Sequence, residues 1–479
     1  MDGPVFERFA DKSPMAVITA ILLARVFAPE KLNGLFERTS EEQYTQDLLF
    51  STVFDLMNRV VCAIEPSMHS AYQSSEEIEV SSTAVYDKLS GLEPGVSAEL
   101  VRYSGEQLAP IASALENESS ERESRQSNDC QGNSDGWLEG YQTKILDGSC
   151  IEATDHRIGE LRETGAAPLP GKALAVLDPE AGLITDFFPC EDGHAQERRI
   201  LGRVLDRIES GELWIGDRNF ATRGFLWGIQ EREASFLIRE HGNLPWDPVG
   251  QEEEIGRIEN GMLYQRPVSI ESPSPQDGDS GQGGSTLRAR RVRLVLDEPT
   301  RDGETEIVVL TNVPDSDVTA EQVAALYRKR WTIERAFQEL SDHLEAEISA
   351  LGYPKAALFG FAVGFVSYNV LSVLKSSLAS VYGKKTVEEE VSGYYIAGEI
   401  AKTREGLMIA LPPERWSGAD TMPQADVVDL LREIARNADL ERYQKHPREP
   451  KKPPPQRTKN TQSPHVSTAK LLAQRKEAS

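Results

Sequence analysis

Apolar positions recur with a helical period through the first 113 residues of the chain. The segments MAVITAILLARVF and LLFSTVFDLMNRVV place an apolar side chain every three to four residues, which predicts helices that bury one face. Farther on, VSSTAVYDKLSGL and VSAELVRYSGEQL predict two short helices broken at Pro94-Gly95. Such a pair fits a helix-turn-helix reader of DNA, and it also fits a bundle that packs on itself. We predict a helical N-terminal region over 1–115 as a candidate DNA-end-binding region.

A polar linker separates this region from a segment whose hydrophobic pattern is that of strands. Residues 116–140 begin with the Ser-rich run ENESSERESRQSNDCQGNSDG, which is nearly free of apolar side chains. Strands are then predicted at YQTKILDGS, KALAVLDP, LITDFFP, LWIGDRNF and ASFLIRE, with helices near 194–209 and 222–233. The predicted order is three strands, a helix, a strand, a helix and a strand, which is the order of an RNase H-like α/β domain. We assign the first part of this domain to residues 141–242.

The pattern stays that of strands through GMLYQRPVSI, LRARRVRLVL and EIVVLTNVP and then becomes helical. The first closing helix begins at the capping pattern of Thr319 and Gln322 and runs to about Glu347. The remaining predicted segments are a β-rich insertion (243–317), the closing helices of the core (318–383), a helical C-terminal region (384–440) and a basic disordered tail (441–479). The predicted fold is multidomain α+β, with an RNase H-like α/β catalytic core that carries a β-rich insertion and is flanked by helical N- and C-terminal regions.

One apolar segment fits either a buried core helix or a membrane span. Ala356–Leu374 is uncharged, and Gly360 and Gly364 form a small-xxx-small pair. Ser367 and Asn369 lie inside it, and the segment follows the preceding helix closely. These features favour a core helix, and we expect no membrane partner.

Charge and cysteine content narrow the classes of protein that fit. A net charge of −25 disfavours binding to the phosphates of DNA. The charge is distributed unevenly, however: residues 1–136 hold 10 basic and 23 acidic side chains, whereas residues 441–479 hold 10 basic and 3 acidic ones. The four cysteines form no C-x-x-C pair, which argues against a zinc site or a disulfide framework. The first residues lack the pattern of a signal peptide, so we expect a cytoplasmic protein.

The segment LYRKRWTIERAFQEL carries the most specific chemistry of the chain. Its spacing stacks Tyr327, Arg330 and Glu334 on one face of a predicted helix. A phenol, a guanidinium and a carboxylate on one face can grip a phosphate and hold a metal ion. Asp147 and Asp217 end the first and fourth predicted strands, which are neighbours in an RNase H-like sheet. Three hard oxygen ligands suit Mg²⁺ or Mn²⁺, and two such ions can drive phosphodiester cleavage without a protein nucleophile.

Each of these residues also has an ordinary structural interpretation. Asp217 fits an N-cap, Asp147 fits a turn, and Glu334 fits a solvated residue paired with a neighbouring arginine. Other candidates are weaker: Asp155-His156 and Asp186 could rival Asp147, and His194 sits in a polar cluster. Candidate DNA contacts outside the motif are Arg239, for which a salt bridge is at least as good an interpretation, and the basic pair Arg290 and Arg291.

In these motifs the chain resembles the DDE transposases of bacterial insertion sequences, in the insertion-sequence-four group with the Tyr-Arg-Glu-Lys signature. The signature residues Tyr327, Arg330 and Glu334 fit, as do the DGS at Asp147 and the WIGDRNF strand. The spacings of 70 and 117 residues between successive carboxylates leave room for the β-rich insertion. The signature lysine is replaced by Ser341, so one phosphate contact is lost or supplied elsewhere.

The resemblance implies a catalytic and metal-binding triad of Asp147, Asp217 and Glu334, with two Mg²⁺ or Mn²⁺ ions per site. It implies that Tyr327 and Arg330 contact phosphates of the transposon end. The implied function is cut-and-paste transposition, by a homodimer that acts on terminal inverted repeats and target DNA in the bacterial cytoplasm and nucleoid. The alternatives are a non-catalytic DNA-binding regulator derived from a transposase, and an RNase H-like nuclease without strand transfer.

Overall fold

Helices form both ends of the chain and strands form its middle. The computed structural model of the protein describes residues 3–43, 47–75, 78–126, 137–273, 286–300, 303–412, 415–416, 418–446 and 465–478. The helices are α1 (Pro4–Lys12), α2 (Pro14–Val26), α3 (Pro29–Thr39), α4 (Phe50–Val61), α5 (Met68–Gln73), α6 (Ser82–Gly91), α7 (Pro94–Gln126), α8 (Gly159–Arg162), α9 (Leu201–Leu205), α10 (Arg223–Glu231), α11 (Ala320–Arg328), α12 (Trp331–Asp342), α13 (Pro354–Tyr382), α14 (Lys384–Glu390), α15 (Gly393–Ala410), α16 (Gln424–Ala435) and α17 (Thr468–Ala478). The strands are β1 (Gln142–Cys150), β2 (Ala167–Leu169), β3 (Lys172–Asp178), β4 (Leu183–Cys190), β5 (Glu212–Gly216), β6 (Ser235–Arg239), β7 (Asp247–Pro248), β8 (Glu253–Ile258), β9 (Gly261–Glu271), β10 (Thr286–Leu296), β11 (Glu306–Thr311) and β12 (His465–Ser467).

The middle of the chain forms a ten-stranded mixed sheet. Its order is β4-β3-β1-β5-β6-β11-β10-β9-β7, and β8 pairs with β9 beside this path. β1 pairs antiparallel with β3 and parallel with β5, so the first predicted strand of the core lies between the second and the fourth. β11 pairs antiparallel with β6. The strands of the predicted insertion therefore extend the core sheet instead of forming a sheet of their own.

The long apolar helix α13 is the centre of the helical part. Length and composition alone would allow it to cross a membrane, yet 94% of its most apolar window is buried inside the protein. It packs against α7, α4, α2, α16 and strand β4. A continuous hydrophobic core joins these elements, so the helices from both ends of the chain bury their apolar faces together. Of the two interpretations of this segment, the structure shows the core helix.

The candidate helix-turn-helix is part of this core. Only Leu92 and Glu93 separate α6 from α7, and α7 then continues for 33 residues along α13 and β4. Apolar side chains along α7, including Val96, Leu100 and Leu108, are fully buried. A recognition helix needs a free face that can enter a DNA groove. The structure therefore supports the bundle interpretation and gives no support to a DNA-reading pair at this position.

One buried amide fixes α13 to the outermost strand of the sheet. Asn369 Oδ1 accepts the backbone N–H of Ile184, and Nδ2 donates to the Ile184 carbonyl and to Ser104 Oγ of α7, each at 2.8 Å. β4 is the edge strand, whose backbone groups need partners when a helix covers them. Asn369 supplies these partners, and it thereby holds α7, α13 and β4 in a single arrangement.

The predicted disordered tail and the predicted linker differ from the structure. His465–Ser467 forms β12, which pairs parallel with β2. Helix α17 follows, and Lys470 and Arg475 form ion pairs with Asp192 and Glu160, each at 3.1 Å. Strand addition and opposite charge order this part of the tail. Its other part, 447–464, lies outside the described residues. In the linker, α7 continues to Gln126, and 127–136 are likewise outside the described residues.

Candidate active site

Two carboxylates lie where the parallel pairing of two adjacent strands ends: Asp147 lies within β1, which continues to Cys150, and Asp217 directly follows β5. The parallel pairing of β1 with β5 ends where Leu146 lies opposite Gly216, and Asp147 and Asp217 are the next residues of the two strands. Asp147 is largely buried, and its Oδ1 accepts the backbone N–H of Gly148 at 2.9 Å. Asp217 stands at an N-cap position, but its side chain makes no capping hydrogen bond. Capping therefore does not account for Asp217.

The motif helix is broken in two just before it reaches these carboxylates. One continuous helix was predicted from Thr319, and its capping box is present. At Lys329 and Arg330 the backbone instead forms i→i−3 hydrogen bonds, to the Leu326 and Tyr327 carbonyls at 3.0 and 3.1 Å. The prediction of one helix is thus wrong, because the turn ends α11 at Arg328 and starts α12 at Trp331. Helix α12 packs against β1.

Arg330 joins the third carboxylate to the first. Its Nη1 donates to Asp147 Oδ2 at 3.0 Å, and its Nη2 donates to Glu334 Oε1 at 2.6 Å. The Arg330 side chain is only 10% exposed, whereas that of Glu334 is about half exposed. The alternative interpretation of Glu334 as the partner of an arginine is therefore also realised. Because the same arginine holds a strand-end aspartate 183 residues away, the pair belongs to the site.

Tyr327 lines the same site from the end of α11. It is buried, and its phenol interacts with Arg330 and Asp217. Burial raises the pKa of Tyr327 to about 12, with Asp217 raising it and the Arg330 and Arg239 cations opposing the rise. The phenol therefore stays protonated at neutral pH and can donate a hydrogen bond.

The environment of Asp147 favours its protonated form. Burial raises its pKa from 3.8 to about 6, the Arg330 cation and the Gly148 N–H oppose the rise, and the charges of Glu334 and Asp217 add to it. Three like charges that act on one another in a partly buried place favour binding of a cation. Perturbed carboxyl groups of this kind are typical of functional sites.

The three carboxylates are suitable ligands for a hard divalent ion, but an arginine lies between two of them. Three carboxylates are the ligands that Mg²⁺ and Mn²⁺ prefer. Among the described residues, no three His, Cys, Asp or Glu side chains converge closely enough to hold an ion as they stand. Asp147 and Glu334 are instead bridged by the guanidinium of Arg330. By donor chemistry, Asp147, Asp217 and Glu334 are the residues that would hold a metal.

The rival candidates lie outside this group. Asp186 is held by Arg102 at 2.9 Å and by Arg207 at 3.7 Å on strand β4. Asp155 is exposed and pairs with Arg157 beside it, while the ring of its neighbour His156 bonds to the Ala166 carbonyl. His194 is exposed in the turn after β4, where its backbone N–H donates to Asp192. These contacts are structural, which leaves Asp147 as the first carboxylate of the site.

Arg239, Arg290 and Arg291 are engaged in internal contacts. Arg239 forms an ion pair with Glu304 at 2.6 Å, so the salt-bridge alternative is the one observed. The guanidinium of Arg290 donates to the carbonyls of Val313 and Val318 and to Asp315, which fixes the connection into α11. Arg291 pairs with Glu240 and Glu252 and lies over the Trp246 ring. These contacts give no support to DNA binding by Arg290 and Arg291, because their guanidinium groups are largely buried and already paired.

An exposed aromatic residue beside the site was missed by the sequence analysis. Trp331 starts α12 next to Arg330, and its large apolar side chain is 64% exposed. The sequence did contain a signal for this exposure. Trp331 lies in the signature segment, but it is not three or four residues from Ile333, as a residue on the same buried face of the helix would be. At the other end of α12, Ser341 stands at the position of the signature lysine and donates to the Phe337 carbonyl. The hydroxyl adds no positive charge to the site.

The site lies within a segment that resembles known transposases. Residues 139–369 match the family model described as a transposase DDE domain. The transposase for insertion sequence element IS421 of Escherichia coli is 24% identical over 238 residues, which cover 44% of this chain and 60% of that protein. The transposase y4zB of Sinorhizobium fredii is 27% identical over 202 residues, which cover 42% and 52%. The chain thus spans about half to three fifths of the length of these relatives.

A solved structure of a transposase also aligns with the chain. It is the piggyBac transposase synaptic complex with hairpin DNA, with a TM-score of 0.35 and 10% sequence identity. The alignment covers 86% of this chain and 84% of that one. Residues 139–369 match the transposase DDE domain model, the listed relatives are weakly similar insertion-sequence transposases, and all residues of the candidate site fall inside the matched segment.

Proposed function

We propose that this protein is a metal-dependent DNA transposase that cuts an insertion sequence from its flanking DNA and joins it to a target. The observation that carries this proposal is that Arg330 bridges Asp147 and Glu334, while Asp217 lies at the end of the strand that pairs parallel with the strand of Asp147. Asp147 and Asp217 are adjacent because β1 and β5 are adjacent parallel strands. Glu334 reaches them from α12 through Arg330. A DDE domain takes its name from such a triad.

The proposed fold of the core is RNase H-like, in the insertion-sequence-four group. Support comes from the sheet order, in which the first core strand, β1, lies between the antiparallel β3 and the parallel β5, followed by β6. The closing helices are α11 to α13. Tyr327, Arg330 and Glu334 match the signature of that group, and Ser341 departs from it. The β-rich segment between Asp217 and Glu334 is the proposed insertion.

Each residue of the site has a proposed part in the reaction. Asp147, Asp217 and Glu334 hold two Mg²⁺ or Mn²⁺ ions, which when bound supply activation of the attacking oxygen and stabilisation of the leaving one. Tyr327 and Arg330 act on phosphate oxygens, the phenol as a hydrogen-bond donor and the guanidinium as a forked cation. The attacking group is water in the first step, and it is the freed 3′-hydroxyl of the element in the second.

The proposed partners are the terminal inverted repeats of the element, target DNA and a second copy of this chain. We place the protein in the bacterial cytoplasm, associated with the nucleoid when it is bound to DNA. Trp331, exposed beside the site, is a proposed stacking surface for a base, because an aromatic face adds affinity without sequence readout. Arg239 is at most an indirect contact, since Glu304 already holds it.

The test is Mg²⁺-dependent cleavage of DNA that carries the repeats flanking the coding region. Asp217→Asn and Glu334→Gln should abolish cleavage while binding of the repeat persists, because each removes a ligand charge without changing side-chain size. Asp155→Asn is the matched control, since Asp155 is an exposed carboxylate in the loop after β1 and lies outside the site. We expect it to cleave at the wild-type rate. Cleavage by both Asp217→Asn and Glu334→Gln would refute the assignment.

Two alternative functions give different products in the same assay. A regulator derived from a transposase would bind the repeats without Mg²⁺-dependent cleavage, and the loss of the signature lysine at Ser341 favours this alternative. A nuclease on the same fold would cleave but would join no 3′ end to target DNA. Recovery of joined products from the wild-type protein excludes both.

A further inference from the structure

Arg330 is bonded to two of the three carboxylates that the proposed function assigns to metal. Its Nη1 donates to Asp147 Oδ2 at 3.0 Å, and its Nη2 donates to Glu334 Oε1 at 2.6 Å. An oxygen that holds a guanidinium N–H cannot hold a divalent cation in the same direction, because the two positive charges repel one another. An ion bound through Asp147 Oδ2 and Glu334 Oε1 would therefore have to displace the arginine from them.

Arg330 is held differently from Arg290, an arginine outside the candidate site. Arg290 donates from Nε, Nη1 and Nη2, and each of these nitrogens has a protein acceptor. In Arg330, Nε is buried and has no hydrogen-bond partner among the described residues. A buried donor without an acceptor is unfavourable. Arg330 is thus held by its two carboxylates together with the Tyr327 phenol, and a stronger cation for those carboxylates can displace it from them.

We propose that Arg330 and the divalent ion compete for Asp147 and Glu334. This inference rests on the proposed function, which supplies the ion. While Arg330 is in place, it offsets the repulsion among Asp147, Asp217 and Glu334 and keeps α12 against β1. When the ion takes its place, the guanidinium is released for a phosphate oxygen of DNA. Arg330 is a positioning residue for the carboxylates before it is a contact for the substrate.

Binding of Mn²⁺ to the full chain without DNA tests this competition by calorimetry. Arg330→Gln should bind Mn²⁺ about tenfold more tightly than the wild type, which corresponds to an arginine that occupies the carboxylates in about 90% of metal-free molecules. Arg335→Gln is the matched control, because Arg335 is exposed, lies next to Glu334 and gives the same change of net charge. We expect Arg335→Gln to bind as the wild type does.

A second measurement separates competition from a general loss of structure. Without metal, Arg330→Gln should lower the melting temperature, because Asp147 and Glu334 lose their counter-charge; with saturating Mn²⁺ this difference should disappear. Arg330→Lys keeps the charge but cannot span two carboxylates as a fork, and we expect intermediate Mn²⁺ affinity. If Arg330→Gln cannot be purified folded, Arg330→Lys decides the matter on its own.

The outcomes distinguish this inference from the proposed function. Weaker or unchanged Mn²⁺ binding by Arg330→Gln, with wild-type binding lost in Asp217→Asn, overturns the competition and leaves the metal site standing. An equal gain in Arg330→Gln and Arg335→Gln also overturns it, since net charge alone then explains the effect. If the wild type binds Mn²⁺ no better than Asp217→Asn does, both the competition and the proposed metal site fail.

Discussion

Asn369 and Arg330 are both polar side chains buried between a helix and the sheet, and they are held in opposite ways. Asn369 makes three hydrogen bonds of 2.8 Å, to both backbone groups of Ile184 and to Ser104. Arg330 makes two ion pairs and buries one nitrogen that has no partner among the described residues. One of its two carboxylates is Asp147, whose pKa is raised by burial to about 6.

We use this difference to assign a structural role to Asn369 and to propose a functional one for Arg330. A polar group with all its partners in place fixes one packing arrangement of the core. A polar group with partners missing, beside carboxylates that repel one another, is tolerated where a ligand completes it. We therefore read Asn369 as the joint between helices and sheet, and the residues around Arg330 as the place where a ligand binds.

The largest expected effect on stability comes from Asn369→Leu. The substitution leaves the N–H and C=O of Ile184 buried without partners, which should lower the free energy of unfolding by about 2–4 kcal/mol. Chemical denaturation measures this change. Asn243→Leu is the matched control, because Asn243 is exposed, and its effect should stay within about 0.5 kcal/mol. Equal effects of the two variants would contradict the conclusion that Asn369 holds the helices to the sheet.

An intermediate effect is expected from Asp147→Asn, and its sign depends on pH. Between pH 4 and 6 the folded protein binds a proton at Asp147 that the unfolded chain releases, since the pKa of Asp147 rises from 3.8 to about 6 on folding. Stability of the wild type therefore falls as pH rises through this window. Asn cannot titrate, so Asp147→Asn lacks this fall.

The comparison of the two chains is made by denaturation with a chelator present. From pH 4 to pH 7, the stability of Asp147→Asn relative to the wild type should rise by about 1–3 kcal/mol, because a tenfold difference in proton affinity corresponds to about 1.4 kcal/mol. A relative stability that does not change with pH would contradict the raised pKa. Asp147 would then not differ from the hydrogen-bonded Asn369 in having an environment that opposes its usual state.

The smallest effect on stability is expected from Trp331→Ala. Trp331 is 64% exposed, so its removal should change the free energy of unfolding by less than about 0.5 kcal/mol. Affinity for DNA ends should fall nonetheless, by the equivalent of about 1–3 kcal/mol, if the indole stacks on a base. Denaturation and filter-binding measurements on one preparation give both values. A stable protein with undiminished affinity would show that the indole has no part in binding.

Much of the site could be predicted from short stretches of sequence. The spacing of Tyr327, Arg330 and Glu334 is local, and so is the position of Asp147 and Asp217 at the ends of apolar strands. In the structure the five side chains interact electrostatically with one another, and their assignment as one functional site stays a prediction. The break between α11 and α12 was not predictable in the same way, because LYRKRWTIERAF has helical spacing on both sides of it.

The fold could be predicted less completely, because several of its contacts join distant parts of the chain. The helices at both ends, the strands in the middle and the apolar α13 follow from periodicity. The burial of α7 against α13 does not, and neither does the pairing of β12 with β2, whose residues are about 300 positions apart. The tertiary contacts favour the bundle over the alternative of a helix-turn-helix, and they order residues 465–478 of a tail that was predicted to be disordered.

The sequence by itself determined which side chains bear the chemistry of this protein. Repeating patterns of three to four residues, or of two, set the faces of helices and strands, and these patterns depend on neighbours alone. The tertiary structure alone decided which partners those side chains take. Arg330 donates to Asp147, 183 residues away in sequence, because the packing of α12 on β1 brings the two side chains together.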